Sequence, residues 1–549
     1  MLTAIVTMKI KQGKCEENFA FMEAKIQEAI EQQADLIIFP QNAISGYLLG
    51  DLWLDDAWCR YVDSFNDKLI AMSEQIAIVW GNIKYRNHRR FNAAFFAYRK
   101  QTHMRVKKNE QHPYMDDAMY FENNDINSAI EFKDMVLALN FQDEIQLADL
   151  NINLDAQPYD MDRTMACKGN VIYVNAVGMQ NCGKSIMVMQ GGSFMRTQKK
   201  LRYQAPYFHE EVKYIDIHTD EEVELNQPSV LEALRCGIID FDEQVFGGNI
   251  PWVIGLSGGL DSSVTAALLA YSLGNERIYG FNMATNHNSD LTKCNAREEA
   301  EALGIHYKEG SIQAFVNASK DVFMNEFGCS SDSTLVQENI QARARGYLLG
   351  GFAGILGGVI ANNANKVEAA LGYCTLYGDS VGAVSFIGDL TKAQLIEVAK
   401  ELNEVMGKTV VPKSLLPVLQ DGKIIWEMAP SAELRADQFD PMKWFYHDYL
   451  VDHLGKDLDV ITLMKRYLDG SLMQSELGTW ITYYGLDDPK AFLKDLDWFL
   501  STMNKNAFKG LQMPPLLSLH ERTLSNTIKS QMNYDQKMYE ELRTAIENL

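Results

Sequence analysis

Apolar and polar positions along this chain fall into two regimes. Over residues 1–226, short β-rich runs alternate with helical stretches. The spacing predicts strands over 4–8, 36–39, 76–80, 92–99, 135–140, 171–177 and 186–190, with an amphipathic helix over 18–33. So much sheet predicts an α/β domain built as a two-sheet sandwich with outer helices. An acidic run over 206–225 then meets Asn226-Gln227-Pro228, which reads as a linker. Beyond it, strands over 252–256 and 277–283 alternate with helices over 229–245, 289–303 and 339–352. That alternation predicts a doubly wound parallel sheet with its ligand at the C-terminal ends of the strands. Residues 455–549 read as mostly helical, with Trp480, Trp498 and paired tyrosines, and an accessory or subunit-contact role is expected.

At 549 residues the chain exceeds what one core organises, so domains are expected over 1–226, 227–454 and 455–549. A formal charge of −22 argues against a phosphate-backbone partner, and no nucleic acid is expected. Eight cysteines without a Cys-x-x-Cys pair suggest reduced thiols and a cytoplasmic protein. The opening Met1-Leu-Thr-Ala-Ile-Val-Thr7 lacks a basic segment and a cleavage site, so no export signal is expected. The apolar stretch over 347–361 falls short of the roughly 20 residues needed to cross a bilayer. Its Gly357-Gly358 break predicts a buried helix, a turn and a buried strand, and no membrane partner.

The densest chemistry lies in Trp252-Val-Ile-Gly-Leu-Ser-Gly-Gly-Leu-Asp-Ser-Ser263, a strand, a Gly-rich loop and the start of an apolar helix. Amides of such a loop, together with the positive end of the helix dipole, make a seat for phosphate or diphosphate. Asp261 and Ser262 are expected to cap the helix, and the hydroxyls of Ser257, Ser262 and Ser263 to crowd the anion site. Another string, Gly178 to Ser185, matches the Walker A spacing letter for letter. That motif needs a helix after Lys184 and Ser185. Residues 186–190 and the glycines behind them read instead as a strand and a turn, so a hairpin is expected.

Ser-Gly-Gly-Leu-Asp-Ser resembles the loop of the ATP pyrophosphatases, which split ATP between the α and β phosphates and adenylylate an oxygen. Further strings narrow the resemblance to NAD synthetase: Glu338-Asn-Ile-Gln-Ala-Arg-Ala-Arg345, Asn365-Lys366-Val-Glu368, Leu371 to Asp379, Ile387-Gly-Asp389-Leu-Thr391-Lys392 and Ala429 to Gln438. Lys509-Gly-Leu-Gln512-Met-Pro514-Pro515 resembles the tail of the glutamine-dependent subgroup. The resemblance implies ATP-dependent amidation of deamido-NAD through an adenylate, with AMP and pyrophosphate released. It implies ATP or pyrophosphate contacts from Gly255, Leu256, Ser257, Gly258, Gly259, Leu260, Asp261, Ser262, Ser263 and Asn363. It implies deamido-NAD contacts from Asn339, Arg343, Glu368, Tyr373 and Lys509, Mg²⁺ held by Asp261 and Glu368, and catalytic roles for Asp261 and Lys392. Two departures concern the ATP side: Asn363-Ala364 stands for the usual Thr-Gly, and Met283-Ala284-Thr285 for Met-Pro-Ser.

The first regime resembles the carbon–nitrogen hydrolase (nitrilase-like) glutaminase of the same enzymes. The resemblance rests on Ala34 to Tyr47, Asp51-Leu-Trp53, Val174 to Gly178 and Gly191-Gly-Ser193. That chemistry needs a Glu base, a Lys for the oxyanion and a Cys nucleophile. The Glu position holds Gln41, the lysine falls at Lys108 or Lys107, and the nucleophile position falls on Phe141, beside Gln142. Cys167 and Cys182 lie outside this register. The first half is therefore expected to be a pseudo-glutaminase, and the whole an ammonia-using ligase; the resemblance also implies a homo-oligomer. A glutamine-dependent enzyme with a displaced nucleophile and a non-catalytic oligomeric scaffold are the rival readings.

Overall fold

The computed structural model describes residues 1–124, 129–163, 168–286, 289–331, 333–420, 423–425, 427, 441–527 and 537–549. Its chain divides into two units: Met1–Val245 with Ser518–Asn526, and Phe246–Leu517 with Thr527–Leu549. The helix Val230–Phe246, expected to head the second domain, thus falls almost wholly in the first. Its buried Asp240 holds it there, accepting the Met179 N–H and pairing with Lys9 Nζ at 2.5 Å. The residues after 455 form no unit of their own.

In the first unit, alternation along the strands sorts side chains into two layers. Ala4, Val6, Ile37, Phe39, Ile78 and Trp80 face helices Cys15–Glu31 and Asp56–Met72. Ile5, Leu36, Ile38, Ala77 and Val79 face the opposite way, onto Leu137, Leu139, Ile152, Leu154, Ile172 and Val174. The two sheets are each 6-stranded. The first runs Glu211–Asp216, Leu2–Thr7, Leu36–Ile38, Ala77–Arg86, Arg89–Tyr98, Gln101–Val106. The second runs Lys200–Gln204, Phe194–Thr197, Val171–Asn175, Leu150–Asp155, Met135–Phe141, Ile130–Phe132.

Two expectations change here. The acidic run before the linker contains an edge strand, Glu211–Asp216, paired antiparallel with Leu2–Thr7. Its half-exposed charges suit an edge and hide the strand from a search for apolar alternation. The outer helices are also one-sided. Strands Met135–Phe141, Leu150–Asp155 and Val171–Asn175 are parallel neighbours, yet among the described residues the connections 142–149 and 156–170 hold no helix. The Walker-like string is an antiparallel hairpin, Val177–Cys182 with Ser185–Gln190, so no helix end follows Lys184 to face a phosphate.

In the second unit the parallel strands lie in the order His306–Ser311, Ile278–Ala284, Trp252–Gly255, Val359–Asn362, Val384–Ser385, Leu516–Ser518. Counted along the chain this is 3-2-1-4-5-6, the doubly wound order. Its switch point lies between the first and fourth strands, where ligands bind in such sheets. The glycine-rich stretch over 347–361 resolves into the end of helix Thr334–Leu356, a left-handed cap at Gly357 and strand Val359–Asn362. That helix is not wholly buried, since Tyr347 and Ile355 are exposed. Among the described residues no helix is long and apolar enough to cross a membrane. Helices Tyr446–His453, Val460–Leu468, Leu477–Tyr483 and Pro489–Lys505 share an apolar core with Val367 and Leu371. Each such fully buried Leu or Phe contributes about 1.5–3 kcal/mol.

Candidate active site

Strand Trp252–Gly255 ends at the switch point, and helix Leu260–Leu273 starts five residues later. Between them Gly258 has φ +85°, and a Cβ there would stand 2.0 Å from the Thr292 carbonyl oxygen, so only glycine fits. The helix cap is Gly259, which carries no side chain, rather than Asp261 or Ser262. Asp261 lies in the first turn. The serines do not crowd one point. Ser262 Oγ accepts the Ser257 N–H at 3.2 Å and donates to the Gly259 carbonyl at 3.0 Å, tying the loop to itself. Ser263 is buried and turns the other way, donating to Glu299 Oε2 at 2.5 Å. The amides at the helix start are thus left without a side-chain cap, as an anion seat requires.

Across the switch point, Asn365 caps helix Lys366–Leu371 in a reciprocal box with Glu368. Asn365 also donates from Nδ2 to Asp261 Oδ1 at 3.2 Å. Lys392, the first residue of helix Lys392–Val405, bridges the two acids: Nζ pairs with Asp261 Oδ2 and lies 3.4 Å from Glu368 Oε1. Its side chain is only 4% exposed and sits 5.1 Å from the centre of the Trp444 ring. Asp448 secures this helix start by accepting the Ala393 N–H at 3.0 Å, and burial pushes its carboxyl up to about 6. Lys366, buried nearby, pairs with Asp452 at 2.7 Å and Asp389 at 3.4 Å. Asn363 donates to the Gly255 carbonyl at 2.9 Å, while its Oδ1 is buried with no hydrogen-bond partner among the described residues.

Among the described residues no group of three or more His, Cys, Asp or Glu side chains could enclose a metal by itself. The pair Asp261 and Glu368 still fits Mg²⁺, which takes one or two carboxylates and completes its shell with water and phosphate oxygens.

The residues expected on the dinucleotide side meet at one loop. Asn339 Oδ1 accepts the Thr375 hydroxyl at 2.7 Å, Arg343 Nε donates to the Leu376 carbonyl at 3.3 Å, and Lys509 Nζ donates to the carbonyls of Gly372 and Cys374 at 3.0 and 2.7 Å. Tyr373 lies on this loop and is 37% exposed. Gly346 lets the loop cross helix Thr334–Leu356, since a Cβ there would fall 2.6 Å from the Gly378 carbonyl oxygen. The string Ala429 to Gln438 lies outside the described residues.

In the first unit Lys108 is exposed, and Lys107 is the buried member of the pair, 2.6 Å from both Asp117 and Glu110. Burial opposes its charge, but the two acids outweigh that and raise its pKa. Phe141 is not directed at this lysine. It packs between the sheets, and the next residue, Gln142, with φ +52°, donates to Glu110 at 2.7 Å. Gln41 is 1% exposed, and its Nε2 has no acceptor among the described residues. Thiols are poorly activated here. Burial raises the pKa values of Cys15, Cys59, Cys182 and Cys236, the reverse of what a nucleophile needs. Cys167 lies outside the described residues.

Sequence reading missed Asp448 and the roles of Asn365 and Gln142, which entered it only within longer strings. Asn365 carried a signal, an Asn three residues before a Glu at a helix start; the other two depend on tertiary placement.

Fold and loop together define a nucleotide-binding α/β domain joined to a nitrilase-like sandwich. Residues 247–459 match the NAD synthase family and residues 2–108 the carbon-nitrogen hydrolase family. An NH(3)-dependent NAD(+) synthetase from Halobacterium salinarum is 32% identical over 264 residues, covering 48% of this chain and 84% of the relative. A glutamine-dependent NAD(+) synthetase from Acinetobacter baylyi is 27% identical over 463 residues, 78% of this chain and 82% of the relative. The crystal structure of a glutamine-dependent NAD(+) synthetase from Cytophaga hutchinsonii shares the fold at TM-score 0.73 and 16% identity, covering 100% of both chains. The chain belongs to the NAD synthase family, in its two-domain form with a carbon–nitrogen hydrolase domain.

Proposed function

We propose that this protein converts deamido-NAD to NAD with ATP, releasing AMP and pyrophosphate, and that it draws its nitrogen from free ammonia. The nicotinate carboxylate attacks the α-phosphorus of ATP, the bond to the β-phosphate oxygen breaks, and pyrophosphate leaves. Ammonia then attacks the acyl carbon of the adenylate, loses a proton and expels AMP. The observation that carries the first half is the buried Lys392 between Asp261 and Glu368 at the switch point, beside a helix start without a side-chain cap. Lys392 offsets charge building on the phosphates, a task of position and electrostatics. The uncapped amides of the first turn of helix Leu260–Leu273 receive the leaving diphosphate, and the idle Oδ1 of Asn363 is an acceptor for an adenosine or ribose donor. Asp261 and Glu368 would hold Mg²⁺, which supplies further neutralisation of phosphate charge. Asn339, Arg343 and Lys509 meet at the loop that carries Tyr373, and these four with Glu368 would contact deamido-NAD.

The nitrogen source rests on the first unit. An amide at Gln41 takes no proton from a thiol, and neither Phe141 nor Gln142 supplies a nucleophile. A buried lysine locked to two acids, and thiols with raised pKa values, support a structural role for what remains. The second reading, a glutamine-dependent enzyme with a displaced thiol, is favoured by the names of relatives such as that from Acinetobacter baylyi. The test is product analysis with ammonium, ATP, Mg²⁺ and deamido-NAD. NAD, AMP and pyrophosphate are expected; ADP in place of AMP, or no nucleotide product with any nitrogen source, refutes the first half. A thiol-directed glutamine analogue is expected to label no cysteine, and stoichiometric labelling favours the second reading.

A further inference from the structure

Helix Asp290–Leu303 buries Thr292, Asn295, Ala296, Glu299, Ala300 and Leu303, the face that periodicity reserves for apolar residues. Glu299 is 1% exposed in the midst of that face. Its Oε2 receives the Ser263 hydroxyl, and its Oε1 is buried with no hydrogen-bond partner among the described residues. A carboxyl so placed is expensive, and a leucine would be cheaper for folding alone. What the acid retains is its bond to Ser263, whose N–H closes the first turn of helix Leu260–Leu273 onto the Gly259 carbonyl at 3.1 Å. Two helical turns earlier on the same face, the Thr292 carbonyl sits where a Cβ of Gly258 would fall. One helix thus touches the loop from behind at its backbone and at its first turn.

We propose that Glu299 is a positioning residue for the diphosphate loop, holding the start of helix Leu260–Leu273 through Ser263 so that its free amides face the leaving group. This rests on the reading of that loop given above. The bond needs no charge. Burial pushes the carboxyl up to about 8, so the neutral form dominates at pH 7; among the described residues the titratable group that faces it is Tyr307, on strand His306–Ser311. A glutamine keeps the size and the hydrogen bond, whereas a leucine keeps only the size.

The test compares E299Q, E299L and S263A in the full chain, by AMP formation with ammonium and by urea unfolding. E299L is expected to unfold at the same or higher urea than wild type, yet to raise KM for ATP about tenfold. E299Q is expected to stay within about threefold of wild type. S263A should reproduce the KM change, and adding it to E299L should change little more. A stable E299L with wild-type KM and kcat overturns the proposal, as does equal impairment of E299L and E299Q. Should E299L fail to fold, S263A carries the decision: an unchanged KM for ATP overturns it. Wild type that makes no AMP from any nitrogen source refutes the reading of the loop, and this proposal with it.

Discussion

Replacing Lys392 by methionine keeps most of the volume and removes the charge that joins Asp261 to Glu368. At the 3.4 Å separation from Glu368, a unit ion pair in an effective dielectric of about 20 carries about 5 kcal/mol of gross attraction. Asp261 and Glu368 are 20% and 22% exposed, so water re-solvates both acids once the lysine is gone. The net loss of folding stability is therefore set at about 1–2 kcal/mol, well below the gross term. Catalysis is more exposed to the change. Charge develops on phosphate oxygens in the transition state, and a preorganised cation there is worth about 3–4 kcal/mol, or roughly 10²–10³ in kcat. Steady-state AMP formation with ammonium, alongside a urea titration, separates the two effects. Lys392→Met is expected to remain folded at 25 °C with kcat down at least a hundredfold. A kcat within threefold of wild type would refute the assignment of Lys392 to the phosphates.

Gly258→Ala must shift the loop away from Thr292, so AMP formation should fall by about 10² or more while stability drops about 1–3 kcal/mol, read by kinetics and urea midpoints. Lys107→Met leaves Asp117, 1% exposed, without its cation, and should cost the first unit about 3–5 kcal/mol in denaturant. Assayed below its transition, the same variant should keep ammonia-driven AMP formation within about twofold. Glu299 gives a pH signature. Its folded pKa, about 8, lies above the unfolded value near 4.5, so its contribution to stability is complete below pH 4.5 and is lost as pH rises towards 8. Wild type should match E299Q in urea near pH 4.5 and fall behind by on the order of 4 kcal/mol at pH 8; parallel curves would contradict the burial argument.

The loop and the strands around it were legible because their chemistry is local. Gly258 and Asp261 announce themselves in one string, and the hairpin at Lys184 follows from two glycines that leave no room for a helix. Lys392 and Glu368 were reachable only through resemblance, since 131 residues of chain separate Asp261 from Lys392. The direction of Ser263 was not legible at all. Nothing in its neighbours reveals that Glu299, 36 residues on, takes its hydroxyl. The edge strand Glu211–Asp216 stayed hidden within the acidic run that precedes the linker, because an edge tolerates charge where a central strand does not. The one-sided helix layer escaped for a related reason: the strand Met135–Phe141 was read and Leu150–Asp155 was not, and among the described residues the connection 142–149 between them holds no helix and looks like any loop. At the first unit's centre, register alone put Phe141 at the nucleophile position. Backbone geometry turns Phe141 into the core and Gln142 towards Glu110.

The central claim is that this member of the NAD synthase family takes nitrogen from ammonia because its hydrolase half lacks the means to release it. Supplying amide-¹⁵N glutamine together with unlabelled ammonium, and weighing the NAD formed, tests that in one tube. NAD of natural isotopic mass is expected, and ¹⁵N-labelled NAD when the label is moved to ammonium. NAD carrying ¹⁵N from glutamine would contradict it.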